Sequence, residues 1–309
     1  MNSAAKFSFV LPAYKGRYLH EAIESILTQD SSDFELIVVD DCSPDPILKI
    51  VEQFHDSRIS YYRNGKNIGG KDLVAQWNHC LEYAKGDYVI LATDDDVYES
   101  NFLSSFVPLI EKYPEVDLFR ARVVNVNSDN KILWIDRCYK EFLSPLEFRY
   151  HKMHGMLGGI PNYIFRRKAL VSIGGFVSLP LAWGSDDVTA IALAGNGVVT
   201  SQEHLVRFRW SDINISSDRK HTGYEKLSAR LQQIKWLEEH PVENNVIGAW
   251  RDFYQKQVVD FIQIYAKQLM ISQISVMPKI QWLSAFKLVR NSGHFSSKDI
   301  CSIFYHSLR

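Results

Sequence analysis

The sequence predicts an α/β protein: a mostly parallel central sheet flanked by helices, followed by a helical C-terminal extension. Three observations favour this class. Short apolar runs rich in β-branched residues alternate with helical apolar patterns over the first hundred residues. Several of these runs lead directly into polar or acidic loops. From about Arg219 onward, the apolar spacing is helical.

The first hundred residues are predicted to run β-α-β-α-β-α-β. The predicted strands are residues 7–11, 35–39, 59–62 and 88–92. Between them, apolar residues recur at i, i+3, i+4 and i+7, as at Leu19, Ala22, Ile23 and Ile26. Parallel strands joined by helices place their carboxyl ends at one edge of the sheet, where ligands bind.

The later elements are more mixed. A helix is expected over residues 101–112, and Ser144-Pro145 is typical of a helix start. The further predicted strands are residues 116–124, 131–135, 162–165, 198–200 and 205–210. The further predicted helices are residues 169–173, 188–194 and several segments beyond residue 219. We therefore expect an α/β domain over residues 1–216 and a helical region over residues 217–309.

Composition excludes several classes of protein. Of the residues, 46% are hydrophobic and 23% are charged, which is typical of a globular chain with a sizeable core. The net charge of −1 gives no reason to expect a nucleic-acid partner. The four cysteines are scattered without a CxxC pair, which disfavours a disulfide framework and fits a reducing compartment. With no signal peptide and no long apolar run, a cytoplasmic location is expected.

Three consecutive acids, Asp94, Asp95 and Asp96, follow the apolar run at residues 88–92. Carboxylates at the end of a buried strand repel one another unless a cation or hydrogen-bond donors meet them. Mg²⁺ or Mn²⁺ carrying a phosphate ligand would satisfy them, since both ions prefer hard oxygen ligands. A solvated acidic turn is the alternative. Polar groups also follow the first two strands, so a shared site at one sheet edge is favoured.

Several segments together resemble a known family. They are FVLPAYKGRYLHEAIESILTQ, FELIVVDDCSPD, NIGGKDLVAQWNHCLEYAKGDYV and GGIPNYIFRRKALVSIGGF. From about Lys6 to Ser216 the chain resembles the inverting family 2 glycosyltransferases, which have the GT-A fold. It departs from the family pattern at Cys42, where glycine is usual, and at Thr93, where the first aspartate of the acidic motif is usual.

The resemblance implies transfer of a sugar from a nucleotide-sugar donor, with a UDP-sugar favoured, to a glycan or lipid-linked acceptor in surface polysaccharide synthesis. It implies Mn²⁺ or Mg²⁺ as cofactor, with Asp95 and Asp96 as metal-ligand candidates and Asp94 near the ribose. Asp41 is the candidate acceptor of a nucleobase N–H. The residues implied at the nucleotide-sugar site are Pro12, Ala13, Tyr14, Asp41, Lys71, Asp94 and Asp95.

The segment WGSDD occupies the place of the family's ED motif, so the resemblance implies a catalytic base at Asp186 or Asp187. Asp186 is favoured because Leu193, Ala194 and Gly197 then match the following helix and turn. Alternatively, both acids only stabilise the positive end of a helix. His204, Arg207 and Arg209 lie on a late strand that, in relatives, returns towards the donor phosphates.

Other readings stay open from the residues alone. A receiver-like phosphoacceptor domain would also place acids at strand ends, and an inactive family member would only bind a nucleotide or glycan. An oxidoreductase is disfavoured because no GxGxxG follows the first strand. Residues 261–297 contain no acid but four basic residues. This segment fits the inner face of the plasma membrane, the α/β domain or a second subunit.

Overall fold

The computed structural model describes residues 6–211, 222–242 and 249–308. Its strands are β1 (Phe7–Ala13), β2 (Phe34–Asp40), β3 (Ile59–Arg63), β4 (Tyr88–Leu91), β5 (Val97–Tyr98), β6 (Leu118–Asn127), β7 (Ile132–Ile135), β8 (Phe142–Leu143), β9 (Tyr163–Arg166) and β10 (Val198–Trp210). Its α-helices are α1 (Leu19–Leu27), α2 (Ile47–Val51), α3 (Leu73–Leu81), α4 (Phe102–Lys112), α5 (Pro145–Met153), α6 (Arg167–Ser172), α7 (Ser185–Leu193), α8 (Gly223–Glu239), α9 (Ala249–Ser275), α10 (Trp282–Asn291) and α11 (Ser297–Ser307).

Within the described residues the strands form one mixed sheet, ordered β3-β2-β1-β4-β9-β6-β10-β5. Strands β1 to β4 are parallel, as the alternation of strands and helices predicts. Strand β9 runs antiparallel between β4 and β6, and β10 runs parallel to β6. The carboxyl ends of β1, β2, β4 and β6 therefore point towards the same edge, which confirms the predicted α/β architecture.

The sheet separates two apolar cores. Phe7, Phe9 and Leu11 of β1 pack on the face covered by α1, α2 and α4, whereas Val10 packs on the opposite face with α3. This alternation follows from the two-residue period of a strand. Because both faces are covered, β1 reads as a continuous apolar run rather than as an alternating pattern.

The C-terminal helices build a third core and also pack on the α/β domain. Leu227, Met270, Ile274, Val289 and Ile303 are buried in this core. Helix α8 contacts α7, and α9 contacts α5. The predicted domain boundary after Ser216 lies outside the described residues and stays a prediction.

Two expectations about individual elements are corrected, and two short strands were not predicted. Two late strands were expected, but β10 is a single strand whose register shifts between Thr200 and Val206. The irregularity accommodates the polar residues that interrupt the apolar pattern, while strand pairing continues on either side. The helix expected over 188–194 begins earlier, at Ser185, so Asp186 and Asp187 lie in its first turn. Strands β5 and β8 are two residues each, too short for a periodic pattern to reveal.

Candidate active site

The acidic triplet begins where β4 ends, beside the end of β1. The Oδ2 atom of Asp94 accepts hydrogen bonds from the backbone N–H groups of Tyr14, at 3.0 Å, and Lys15, at 2.8 Å. Because β1 and β4 are parallel neighbours, the chain leaving each strand reaches the same place. Burial nevertheless raises the pKa of Asp94 above its ordinary value. Asp94 thus fixes the loop after β1 against the triplet.

Asp96 ties the triplet to β10. It is 2% exposed, and its Oδ1 atom accepts a hydrogen bond from the backbone N–H of Arg209 at 2.7 Å. Its Oδ2 atom accepts a hydrogen bond from the hydroxyl of Thr93. Burial, followed by the charge of Asp95, raises the pKa of Asp96 well above its usual range. These contacts favour a structural role, and the metal-ligand role expected from the sequence stays a prediction.

Asp95, like Asp94, is half-buried. Burial, followed by the charge of Asp94, raises its pKa to about 6, although Lys15 and Arg209 oppose the shift. Its anionic form therefore lacks full compensation, and a divalent cation fits beside such a carboxylate. Among the described residues, no group of three His, Cys, Asp or Glu side chains could hold a metal ion by itself.

Arg209 supports the triplet from β10. Its Nε atom donates to the backbone carbonyl of Asp95 at 2.9 Å, and its Nη2 atom donates to Glu21 at 2.6 Å. The guanidinium lies 4.4 Å from the ring centre of Tyr18. Arg209 is only 1% exposed, so these contacts hold it rigidly. Sequence patterns placed Arg209 on a late strand but gave no indication of these partners.

The paired acids at the end of β2 face inward. Asp41 is 3% exposed, and its carboxylate accepts hydrogen bonds from the side chain of Asn64 and from the backbone N–H groups of Ile68 and Gly69, at 2.7 to 2.8 Å. Asp40 is fully buried and accepts from Tyr61 and Arg63. Both carboxylates therefore order their own surroundings.

The loop held by Asp41 borders a surface cavity of about 330 Å³. Its lining residues are Asn64, Gly65, Lys66, Ile68 and His79. In the loop after β1, the ring of Tyr14 is 40% exposed, whereas Ala13 is buried and Pro12 half-buried. Lys71 is exposed just before α3. Among the residues predicted to flank the base, Tyr14 therefore presents the largest free surface.

The second acidic cluster lies at the start of α7. Asp187 forms an ion pair with Lys152 of α5, with 2.5 Å between Oδ1 and Nζ. Its Oδ2 atom accepts a hydrogen bond from Gln233 of α8 at 3.3 Å and lies 3.9 Å from Nη1 of Arg230. Burial acts to raise the pKa of Asp187, but Lys152 and Arg230 together hold it below its ordinary value. Asp187 therefore stays ionised, and both of its carboxylate oxygens have partners.

Asp186 has the opposite electrostatic environment. Burial, followed by the charge of Asp187, raises its pKa to about 6, while Lys152 and Arg230 only partly oppose the shift. The pKa values of these two adjacent carboxylates are thus shifted in opposite directions. The charge of Asp187 is compensated by two cations, whereas the pKa of Asp186 is shifted towards neutral pH. Such divergence is typical of a functional acid–base pair.

Small residues and amide contacts fix the start of α7. Gly184 has φ +93°, and a Cβ atom there would lie 2.9 Å from Oε1 of Gln233, so α8 approaches the chain closely. The side chain of Asn78 on α3 bonds both backbone groups of Phe176. The Oγ atom of Ser185 accepts a hydrogen bond from the N–H of Leu179 at 3.0 Å. These contacts hold the loop before α7.

The structure joins some of the predicted site residues and leaves others apart. Tyr14 and the acidic triplet share one cluster, and Asp186 and Asp187 belong to a second. The backbone N–H of Asp41 donates to the carbonyl of Ala13, next to Tyr14, at 2.9 Å, but among the described residues no hydrogen bond or ion pair joins the Asp41 carboxylate to either cluster. Sequence reasoning missed Lys15, Lys152 and Arg230.

Comparison with known proteins identifies the class. Residues 8–173 match the family model of glycosyl transferase family 2, which is more than half of the chain. The chain therefore belongs to glycosyl transferase family 2, as the sequence motifs predict.

Curated relatives match over part of their length. EpsE of Bacillus subtilis (strain 168) is 39% identical over 117 residues, which is 37% of this chain and 41% of EpsE. The poly(ribitol-phosphate) beta-N-acetylglucosaminyltransferase TarS of Staphylococcus aureus (strain Mu50 / ATCC 700699) is 32% identical over 127 residues, 39% of this chain and 22% of TarS. The chain thus spans less than half of these relatives.

Solved structures show the same fold. The Staphylococcus aureus TarS 1–349 structure in complex with UDP-GlcNAc has a TM-score of 0.66 and 18% identity, covering 98% of this chain and 90% of that one. The mannosyltransferase PcManGT from Pyrobaculum calidifontis, in complex with GDP-Man and Mn²⁺, has a TM-score of 0.58 and 15% identity, covering 99% of this chain and 81% of that one. These likenesses establish the GT-A fold.

Proposed function

We propose that this protein is an inverting glycosyltransferase that moves a sugar from a nucleotide-sugar donor to a glycan or lipid-linked acceptor in surface polysaccharide synthesis. The observation that carries the proposal is the divergence of Asp186 and Asp187 at the start of α7. The negative charge of Asp187 is compensated by Lys152 and Arg230, whereas Asp186 has a pKa raised to about 6.

In this proposal Asp186 is the general base. An inverting transfer needs an acceptor hydroxyl to attack the anomeric carbon from the side opposite the leaving nucleotide, while a base takes the hydroxyl proton. A carboxylate whose pKa approaches the working pH takes up that proton more readily than one at 3.8. Asp187 is the weaker base of the two, because its two cationic neighbours stabilise its ionised form and so disfavour uptake of a proton. Asp187 is therefore proposed as a positioning residue that holds α7 against α5 and α8.

The acidic triplet is proposed to serve the donor. Asp95 is the candidate metal ligand because its carboxylate lacks full compensation, and Asp94 holds the loop that carries Tyr14 and Lys15. A divalent ion, when bound, supplies Lewis-acid stabilisation of a leaving diphosphate. Lys15 adds a fixed positive charge beside the same carboxylates.

The nucleoside is proposed to lie beside Tyr14, whose exposed ring offers a stacking face. Asp41 then acts through the loop at residues 64–70, whose backbone it holds, rather than as a free hydrogen-bond acceptor. Support for a UDP-sugar donor comes from the UDP-GlcNAc complex of TarS. The structure of PcManGT, by contrast, contains GDP-Man rather than a UDP-sugar.

A peripheral contact with the inner face of the plasma membrane is also proposed, through α10 and the residues before it. Ile280 is 90% exposed and Leu283 68% exposed. Lys279, Lys287 and Arg290 are exposed, and none forms an ion pair with another described residue. Exposed apolar side chains beside unpaired cations fit an anionic lipid surface. No helix in the described part of the chain is both long and apolar enough to cross a membrane.

The proposal is tested with a panel of nucleotide sugars, each supplied with Mn²⁺ or Mg²⁺, by measuring nucleoside diphosphate release. Release with one donor that requires the metal and is lost in Asp186→Asn supports a transferase. Donor binding by thermal shift without any release, across the whole panel and with acceptor glycans added, favours an inactive binding member instead.

A further inference from the structure

Three aromatic residues lie together on one face of the sheet beyond its active-site edge. Trp210 of β10 and Trp134 of β7 have ring centres 5.5 Å apart, and Phe208 lies 6.0 Å from Trp210. Between them on β6 lies Asn125, whose Oδ1 atom accepts a hydrogen bond from the indole N–H of Trp210 at 2.7 Å. We refer to these four residues as the aromatic platform.

The platform is held rigidly at its base. Asp136 directly follows β7, is 1% exposed and forms a buried ion pair with Arg120 of β6. Its backbone carbonyl accepts from Arg122 at 3.0 Å and lies 3.1 Å from Nε2 of His204. The hairpin of β6 and β7 is therefore clamped to β10 where it leaves the sheet, and the platform is ordered before any ligand binds.

The platform borders the acidic triplet and contacts the segment that follows α5. Arg209, between Phe208 and Trp210, contacts Asp95 and Asp96 with its side chain and backbone. On the other side, the ring of Phe208 lies where a Cβ atom on Gly159 would come within 2.8 Å of it. Gly159 belongs to the segment that follows α5, the helix that positions Asp187 through Lys152.

The chemistry of the platform fits a sugar ring. Trp134 is 41% exposed, and Trp210 and Phe208 are half-buried, so they offer flat apolar surface to solvent. A pyranose has faces of C–H groups that pack on such rings, and hydroxyls around its edge. Asn125 is 4% exposed, and its amide nitrogen has no acceptor among the described residues. A buried donor without a partner costs free energy, which a sugar hydroxyl would recover and a hydrocarbon chain would not.

From these contacts we propose that the aromatic platform is the subsite for a pyranose ring of the acceptor glycan. The assignment rests on the proposed transferase function and deepens it. In this arrangement the acceptor is held by stacking on Trp134 and Trp210 while its reactive hydroxyl extends towards Asp186. The platform governs acceptor affinity and leaves donor binding unchanged.

The test uses ¹⁵N-labelled protein without donor or metal, so it does not depend on activity. Methyl glycosides of glucose, N-acetylglucosamine, galactose and mannose are titrated while the indole N–H resonances are followed. At least one glycoside should shift the resonances of Trp134 and Trp210 saturably. Trp134→Ala should weaken this binding about fivefold, the size of one aromatic stacking contact. The matched control is Ile135→Ala: Ile135 is 55% exposed and directly follows Trp134 in the regularly paired part of β7, so its side chain lies on the opposite face.

The outcomes separate this inference from the proposed function. If no glycoside in the panel shifts either indole while nucleotide-sugar turnover is intact, the platform is not a sugar subsite and the transferase proposal stands. Saturable shifts in a protein that turns over no nucleotide sugar leave the subsite standing and overturn the transferase. Equal weakening by Trp134→Ala and Ile135→Ala also overturns the assignment, as do shifts caused only by lipid vesicles or by raising protein concentration.

Discussion

Lys152 and Asp187 form an ion pair across α5 and α7, with 2.5 Å between Nζ and Oδ1 and with the lysine side chain 5% exposed. The pair fixes the charge of one of two adjacent acids. Burial raises the pKa of the neighbouring Asp186, and the charge of Asp187, which Lys152 and Arg230 keep ionised, raises it further. The pairing therefore distinguishes two residues that look equivalent in the sequence.

Substituting the two acids one at a time should separate an effect on the transfer rate from an effect on stability. Asp186→Asn should lower the transfer rate by about 10²- to 10⁴-fold, because it removes the base, while donor affinity and melting temperature stay near those of the wild type. Asp187→Asn should instead lower the free energy of unfolding by up to about 3 kcal/mol, because it leaves the buried Lys152 charge unpaired. Steady-state kinetics and thermal denaturation of both variants check this. Normal turnover in Asp186→Asn would rule that residue out as the base.

The pH dependence of transfer should report Asp186. Its pKa is raised from 3.8 to about 6, and only the deprotonated form accepts a proton, so the rate should be full above about pH 7 and fall tenfold per pH unit well below 6. Transfer at saturating donor and metal is measured from about pH 5 to about pH 8. Donor affinity is measured over the same range as a control, since Asp95 also has a pKa of about 6. A rate that is flat across this range would contradict the assignment.

Asp95 and Asp96 should respond differently to substitution. Asp95→Ala should abolish stimulation by Mn²⁺ or Mg²⁺ and leave the melting temperature nearly unchanged, because this carboxylate is the candidate metal ligand. Asp96→Ala should lower stability by about 1–3 kcal/mol, because the backbone N–H of Arg209 loses its buried acceptor. Metal-dependent product release and thermal denaturation distinguish the two. Full metal stimulation in Asp95→Ala would remove Asp95 from the metal site.

Asp41 should act through the loop at residues 64–70. Asp41→Asn replaces one of two acceptor oxygens with an amide donor, so Asn64, Ile68 and Gly69 cannot all stay bonded. Stability should fall by about 2 kcal/mol, and amide hydrogen exchange should speed up at residues 64–70. Weakened donor binding with unchanged exchange in this loop would instead support direct contact between Asp41 and the base.

The surface of α10 should govern lipid binding. Leu283→Ser combined with Lys287→Glu should reduce co-sedimentation with anionic vesicles at least about fivefold, because both apolar insertion and charge attraction are lost. Leu48→Ser combined with Lys49→Glu is a matched control, since this exposed leucine–lysine pair lies on α2. Equal binding to neutral and anionic vesicles, or an equal loss in the control, would contradict a lipid surface on α10.

Much of the parallel half of the sheet was readable from the sequence. Strands β1, β2 and β4 are largely apolar runs separated by helical periodicity, and both patterns arise from burial. The acids at the ends of β2 and β4 were equally visible, because a carboxylate directly after a buried strand is conspicuous. The path of β10 was not predictable, since its polar middle interrupts the pattern and only pairing with β6 carries the strand through.

The sequence by itself determined the α/β class, the family motifs and the positions of the candidate acids. Only the tertiary structure decided which acids are satisfied and which are not. Asp41, Asp96 and Asp187 are satisfied by donors or cations from Gly69, Arg209 and Lys152. These partners are distant in the chain, and the charge of a buried carboxylate depends on what folding brings within a few ångströms of it. A periodic sequence pattern carries no information about these contacts between distant residues. Asp95 and Asp186 therefore differ from their neighbours only once the chain has folded.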